Sequence, residues 1–404
     1  MKGHVRRHGG RWYTIIFQGR KINKKGKLAD TYRWIGGFDT QGEAQDELTR
    51  QLSARLEGSY VEPHRMLVAE YLRLWLSIAK MGLAAKTHER YRDICENNII
   101  PNLGPFELVK LTAIDVEKFY TIMLTAGRKG RAKGGLSPTT VLQFHRVLHK
   151  ALHDAVKKRI VSHNVAGAAQ APRAANPELS VPDEDAMAAL VTQSRQDKRI
   201  FLPIVIACGS GLRRGEILGL KWSDINWAAS TIRVVRSLCQ TRDAVFLKDV
   251  KQKRSRRVVS LPAFVMDALR EARVEQEKLR KQCGPGYEHH DLVCCLPDGK
   301  PLPPDVLTKA YRSYRVSLGL GARFHDLRHA HASQALQNGV PVKTVQSRLG
   351  HSTAAFTLDR YGHLRWRVMT SGPPRPFRGR LPPLSKENYR SQLTNAPNLP
   401  DFFK

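Results

Sequence analysis

The chain has 404 residues, with 67 Lys or Arg against 36 Asp or Glu, a formal net charge of +31 at pH 7. That length is enough for two or three domains with real cores, and a hydrophobic content of 41% excludes a disordered chain. The charge favours a polyanionic partner, because each cation that meets a phosphate releases condensed counterions. An anionic membrane surface is the weaker reading.

Three further classes fall away. The longest apolar run, Ile200 to Cys208, contains Pro203 and is far too short to span a bilayer. The N-terminus is basic but has no apolar segment of the signal-peptide kind, so a cytoplasmic location is expected. Six Cys lie without C-x-x-C spacing. Cys283, His289, His290, Cys294 and Cys295 therefore make a poor zinc cluster, and nothing suggests a disulfide framework.

Residues 1–33 carry ten Lys or Arg against one acid, Asp30. Trp12 to Phe17 and Thr31 to Ile35 read as strands on either side of a polar turn at 19–27. Residues 41–57 read as a helix with Ala44, Leu48, Leu52 and Leu56 on one stripe. A small basic sheet braced by a helix suits contact with a DNA groove; a structural hairpin with a solvated face is the plain alternative. Residues 58–64 read as a linker.

A helical region follows. Leu67, Tyr71, Leu74, Trp75 and Ile78 recur at helical spacing. Thr87 is the expected cap of a second helix, and Pro101 to Gly104 its break. A third helix runs from Ala113 to Leu124. After the basic loop 129–135, Ser137-Pro138 has the cap-then-proline form of a helix start. The helix behind it buries Val141, Phe144, Val147, Leu148, Ala151, Leu152 and Val156. His145, His149 and His153 form a row on it, read as solvated or phosphate-facing rather than metal-binding. Residues 167–180, rich in Ala, Pro and Asn, form an interdomain linker.

The third region begins near Pro182. An apolar helix from 199 breaks at Gly209 to Gly211, and a second helix starts at Leu212. Thr231–Val235, Val245–Lys248 and Arg256–Leu261 read as strands, and 262–282 and 305–318 as helices.

The chemistry gathers in this region. Arg213 sits at a helix start, where a guanidinium and free backbone N–H groups make an anion site. Glu216, three residues on, can hold it from the same face. The basic turn from Lys251 to Arg257 can dip a lysine into a groove, where it could protonate a departing alkoxide. His325 and Arg328 share a helix face and can contact one phosphate. His325 and His329 have zinc-protease spacing, but Asp326 stands where such a motif needs Glu, and Arg328 would put a cation in a cation site. His351 follows Gly350 at a helix end. Tyr361 lies ten residues beyond. As a phenol its oxyanion costs on the order of 4 kcal/mol at neutral pH, which flanking cations can offset. A lone Tyr is more often a packing residue.

Arg213, a hairpin lysine, His325-x-x-Arg328, Leu349-Gly350-His351 and Tyr361 together resemble the tyrosine recombinases, in particular phage-type, lambda-like integrases. Leu218 to Ile225, Pro101 to Gly104 and Leu111-Thr112 resemble supporting segments of the same family. The resemblance spans roughly residues 10–364.

The resemblance implies a multidomain α+β protein. An arm-type DNA-binding domain (1–60) would combine a small β-sheet with a helix. A helical, SAM-like core-binding domain (64–168) would follow. A mainly-α catalytic domain with a small antiparallel sheet (180–371) would come third, then a tail (372–404) rich in Pro, Arg and Gly. It also implies DNA strand transfer without metal, ATP or cofactor. Tyr361 would attack a phosphodiester to form a 3′-phosphotyrosine. Arg213 and Arg328 would clamp the non-bridging oxygens, and Lys251 would protonate the leaving 5′-oxygen. His325 would assist proton transfer at the Tyr, His351 would hydrogen-bond the phosphate, and Glu216 would support Arg213. Lys248 and Lys253 are alternatives to Lys251, which matches the family's spacing to the next strand.

The implied partners are double-stranded DNA at core and arm-type sites, three further copies of the chain in a synaptic tetramer, and a directionality factor. The implied setting is a bacterial cytoplasm, at the nucleoid. A type IB topoisomerase or resolvase-like recombinase, or a non-catalytic DNA-binding relative, are the competing readings.

Overall fold

A computed structural model of the chain describes residues 3–22, 27–56, 65–130, 134–174, 184–249 and 256–350, with Pro182 and Thr353 singly. Lys251, Lys253, His351, Tyr361, the expected linker at 58–64 and the tail 372–404 lie outside the described residues. The chain divides into two compact units, Met1–Asn176 and Pro177–Lys404.

The first unit opens with an antiparallel sheet in the order β1 (Gly3–His8), β2 (Arg11–Ile22), β3 (Leu28–Phe38). β1 was not foreseen: its basic, His-containing sequence carries little strand propensity, and its pairing with β2 holds it. The strands also run further into the expected turn, to Ile22 and from Leu28. Helix α1 (Gln41–Leu56) covers one face. Ala44 and Leu48 are buried there with Ile15 and Ile16, and the Thr14 hydroxyl donates to Ala44 O at 2.6 Å.

The helical part of this unit comprises α2 (Val68–Ala79), α3 (Ala85–Ile94), α4 (Ile100–Leu103), α5 (Ala113–Ala126), α6 (Pro138–Lys157) and the short α7 (Val165–Ala168). Two expectations need correction and a third is sharpened. On α2, Leu74 and Ile78 are exposed, while Val68, Leu72 and Leu76 join Tyr71 and Trp75 in the core. Tyr71 and Trp75 fix that face, donating to Ala151 O at 2.6 Å and to an Asp154 carboxylate oxygen at 2.9 Å. Thr87 does not cap α3; Ala84 stands at its N-cap. The break expected at Pro101 to Gly104 falls at the end of that stretch: a wide π-type turn at Cys95–Ile99 carries the chain through Pro101 in α4, which stops at Gly104. Pro101 has no N–H to offer the Asn97 carbonyl one turn back, and that carbonyl takes Lys129 Nζ instead. The cap of α6 forms at Ser137 as expected, and α5 carries one at Thr112 as well. Thr112 and Asp115 exchange hydrogen bonds at 3.1 and 3.2 Å, and Ser137 Oγ accepts from Thr140 N.

The second unit is built around α9 (Lys198–Ser210), most of whose residues are buried. It packs against α8 (Glu184–Ser194), α10 (Arg214–Leu218), α11 (Ala263–Cys283), α12 (Pro304–Ser317) and α13 (Asp326–Gln337). Helix α14 (Val342–Leu349) closes on α13. Two small antiparallel sheets lie between α10 and α11 in sequence. One runs β4 (Ile225–Asn226), β5 (Thr231–Val234), β8 (Arg257–Ser260); the other pairs β6 (Arg236–Gln240) with β7 (Val245–Asp249). The basic turn expected around Lys251 falls between β7 and β8, at residues 250–255, outside the described residues. Helix α10 sits tightly on β6: a Cβ at Gly219 would come within 2.9 Å of Leu238 N.

Candidate active site

Two glycine-ended helices create the site. Helix α9 stops at Gly211, whose φ of +68° lies in the left-handed region. A Cβ there would also meet the His331 ring at 2.6 Å, so glycine is required on two counts. Helix α14 stops in the same way at Gly350, φ +67°. Both ends leave carbonyls without helical donors, and arginines from other segments supply them.

Arg328, in the first turn of α13, is 2% exposed. Its Nη1 donates to Gly211 O at 2.7 Å and its Nη2 to Leu349 O at 2.6 Å, which ties the two helix ends together. Arg213 stands at the N-cap of α10. Its Nη2 donates to Gly350 O at 3.1 Å and its Nη1 to Glu216 at 2.9 Å. Its side chain keeps 41% of its surface, so this guanidinium is open to a ligand. Arg213 and Arg328 therefore reach adjacent carbonyls of one turn, directly before His351.

Glu216 is buried and accepts from Arg213 N at 3.0 Å as well as from its side chain. The expected support of Arg213 by Glu216 is thus present as a contact. Burial alone would raise the carboxyl's proton affinity. Hydrogen bonds and charge from Arg257, then Arg213, reverse this and hold it below the usual carboxylate range.

His325 occupies the N-cap of α13. Partial desolvation of the ring, then the charge of Arg328, outweigh Asp326 and lower its proton affinity below the ordinary histidine value. It is a neutral imidazole at pH 7, able to accept a proton. Asp326 is committed locally: it accepts from Arg323 N at 2.7 Å and from that residue's guanidinium at 3.0 and 3.1 Å.

Three residues escaped sequence reasoning. Arg257 pairs with Glu216 through two hydrogen bonds, 2.8 and 3.2 Å. Arg348 donates to Gly209 O, Ser260 O and Ser260 Oγ at 2.8 to 3.1 Å, and its Nε donates to His331 Nε2 at 3.0 Å. His331 Nδ1 in turn donates to Cys208 O at 2.8 Å. Burial, then the Arg348 charge, pushes His331 down to about 4, so it is a fixed neutral strut. Two guanidinium groups, Arg213 and Arg257, thus share the buried Glu216 carboxylate, while Arg328 and Arg348 are held by the helix-end carbonyls beside it.

Elsewhere the histidine row on α6 is half-buried at His145 and His149 and exposed at His153. Tyr120 OH meets His145 Nδ1 at 2.8 Å, and successive ring centroids lie 5.7 and 6.4 Å apart. Cys294 is buried in the core and Cys295 Sγ accepts from Gln276 at 2.8 Å. Among the described residues no cluster of three His, Cys, Asp or Glu is placed to hold a metal ion, and no helix is long and apolar enough to cross a membrane.

The sequence profile of the phage integrase family matches residues 182–367, and that of the phage integrase N-terminal SAM-like domain matches residues 67–124. A tyrosine recombinase XerC-like protein of Caldanaerobacter subterraneus subsp. tengcongensis is 24% identical over 345 residues, covering 80% of this chain and 86% of the relative. The fold matches the Tn1549 transposon integrase solved with a circular intermediate DNA. There the TM-score is 0.59 and the identity 18%, over 74% of this chain and 98% of that one. It also matches a lambda integrase tetramer bound to a Holliday junction, at TM-score 0.52 and 16% identity, over 87% and 96% of the two chains. The fold and the two profiles define a DNA strand transferase acting by site-specific recombination. The chain belongs to the phage integrase family of tyrosine recombinases.

Proposed function

We propose that the chain integrates phage or mobile-element DNA into a host chromosome, with Tyr361 as the nucleophile that cuts and rejoins each strand. The tyrosine oxygen attacks the scissile phosphorus, the bond to the 5′-oxygen breaks, and a 3′-phosphotyrosine forms. A 5′-hydroxyl from a partner strand reverses the step. The bond energy stays in the phosphotyrosine, so no nucleotide is consumed.

Each residue has one task in this reading. Arg213 and Arg328 clamp the non-bridging oxygens and stabilise charge that grows in the transition state. His325, neutral before DNA arrives, takes the tyrosine proton. Lys251 gives a proton to the leaving 5′-oxygen, His351 donates to the phosphate, and Glu216 orients Arg213. The observation that carries the reading is the meeting of Arg213 and Arg328 on the turn just before His351.

The domain division 1–60, 64–168 and 180–371 belongs to the same proposal, as do the arm-type role of the N-terminal sheet and action in a bacterial cytoplasm. Four copies act together on two core sites; the lambda tetramer on a Holliday junction supports this. A directionality factor would act on this assembly.

The test is covalent trapping on a nicked suicide duplex, with peptide mapping of the adduct. The expected site is the peptide carrying Tyr361, with yield unchanged by EDTA. An adduct on another residue would remove Tyr361 from its role, and loss of cleavage in EDTA would point to a metal nuclease.

A further inference from the structure

The roles above leave a third guanidinium unused. Arg257 opens β8 and its side chain is 5% exposed, against 2% for Glu216. Burying such a pair costs desolvation of both ions, so it is weak evidence for a purely stabilising role. Its geometry is more specific than stability requires. Nη1 and Nη2 donate to the two Glu216 oxygens at 3.2 and 2.8 Å, and Nε donates to Arg348 O at 2.7 Å. The same carboxylate holds Arg213 by its backbone and its guanidinium. The same helix end holds Arg213 again, through Gly350 O. One planar fork on β8 therefore fixes both of Arg213's partners. The turn itself rests on it: a Cβ at Gly350 would lie 3.2 Å from Arg257 Nη1.

We propose that Arg257 is a positioning residue for strand transfer, which sets the Arg213 guanidinium through Glu216 and through the end of α14 without touching the scissile phosphate. This rests on the proposed role of Arg213, and the two can fail separately. Without Arg257, Glu216 remains buried with one cationic partner fewer. Its tendency to ionise falls, and Arg213 loses the rigid acceptor that aims it. A lysine supplies the charge but not the fork, so it can replace only part of the function.

The test is single-turnover adduct formation by the full chain on two nicked duplexes. Both carry the crossover site recovered from integration junctions. One has the normal scissile phosphodiester and the other a neutral methylphosphonate, which has no non-bridging charge for Arg213 to neutralise. Arg257→Met is expected to slow adduct formation on the phosphodiester about a hundredfold. DNA affinity should change by less than about threefold, and the deficit on the methylphosphonate should shrink to within about tenfold of the parent. Arg257→Lys should fall between, and it carries the same comparison should Arg257→Met fail to fold. Arg213→Ala, run in parallel, should show the same substrate dependence. If Arg213→Ala shows it and the Arg257 variants are equally slow on both substrates, or as fast as the parent, the inference is overturned. If Arg213→Ala itself shows no such dependence, the reading of Arg213 fails instead.

Discussion

The basic sheet of the first unit and the arginine corner of the second use the same kind of residue in opposite ways. In the corner, guanidinium groups are fixed by named carbonyls and one carboxylate, and Arg257 and Arg328 are nearly dry. On the sheet, Arg6, Arg7, Arg20 and Lys21 stand exposed. Around them lies an aromatic surface in which His8, Tyr13 and Trp34 pack ring to ring at 5.7 to 6.4 Å. A fixed cation in a low-dielectric site stabilises charge at one point. An exposed cation attracts a backbone anywhere along its length and is screened by salt. On the proposed function, the corner serves the chemistry and the sheet holds DNA.

The sharpest way to separate binding from chemistry is Tyr361→Phe. It should bind DNA with the parent's affinity and give no covalent adduct. Any adduct from this variant on a suicide substrate would show that another group attacks.

Arg328→Lys probes the fixed corner. Lysine cannot span Gly211 O and Leu349 O as the planar fork does, and one buried carbonyl is left without its donor. A loss of about 2 kcal/mol in stability is expected, with adduct formation down about a hundredfold. Because a buried cation is poorly screened, the deficit should hardly vary with salt. A deficit that changes steeply with salt would mean that Arg328 acts as an ordinary binding charge.

His331 gives the corner a pH signature. Its folded value of about 4 lies below its ordinary 6.5. Protonation therefore favours the unfolded state, and the sign follows: stability present above pH 6.5 is lost as pH falls toward 4. The loss is about 3 kcal/mol across that window. Urea unfolding of the parent at several pH values should show it, and His331→Gln should be less stable at pH 7.5 but lose less on acidification. Parallel slopes for the two proteins would remove His331 from this account.

Much of the corner was legible from local spacing. Arg213 with Glu216, and His325 with Arg328, lie within one helical turn of each other, a distance a sequence pattern can resolve. Arg257 was visible only as one of a basic run, because its partners Glu216 and Arg348 are 41 and 91 residues away. His331 and Arg348 escaped for the same reason. The helical domain shows the other kind of miss. Periodicity placed Leu74 and Ile78 in the core because apolar residues on α2 outnumber the buried face, and only packing decides which stripe turns inward. Pro101 read as a breaker because the wide turn before it, and the lysine that serves the orphaned Asn97 carbonyl, are tertiary facts.

The sheet supplies the mildest test and the one that probes the comparison from its other side. Arg6→Ala and Arg7→Ala each remove one exposed cation. If each meets one phosphate, the slope of log affinity against log salt for arm-site DNA should flatten by about one per residue. Adduct formation at the crossover site should be unchanged, since neither residue belongs to the corner. Removing residues 1–58 extends the same logic: integration should fall while covalent attachment at the crossover site persists. Integration unaffected by the deletion would refute the arm-type role. A parallel fall in adduct formation would show instead that the sheet supports the chemistry, and the division of labour between exposed and buried cations would not hold.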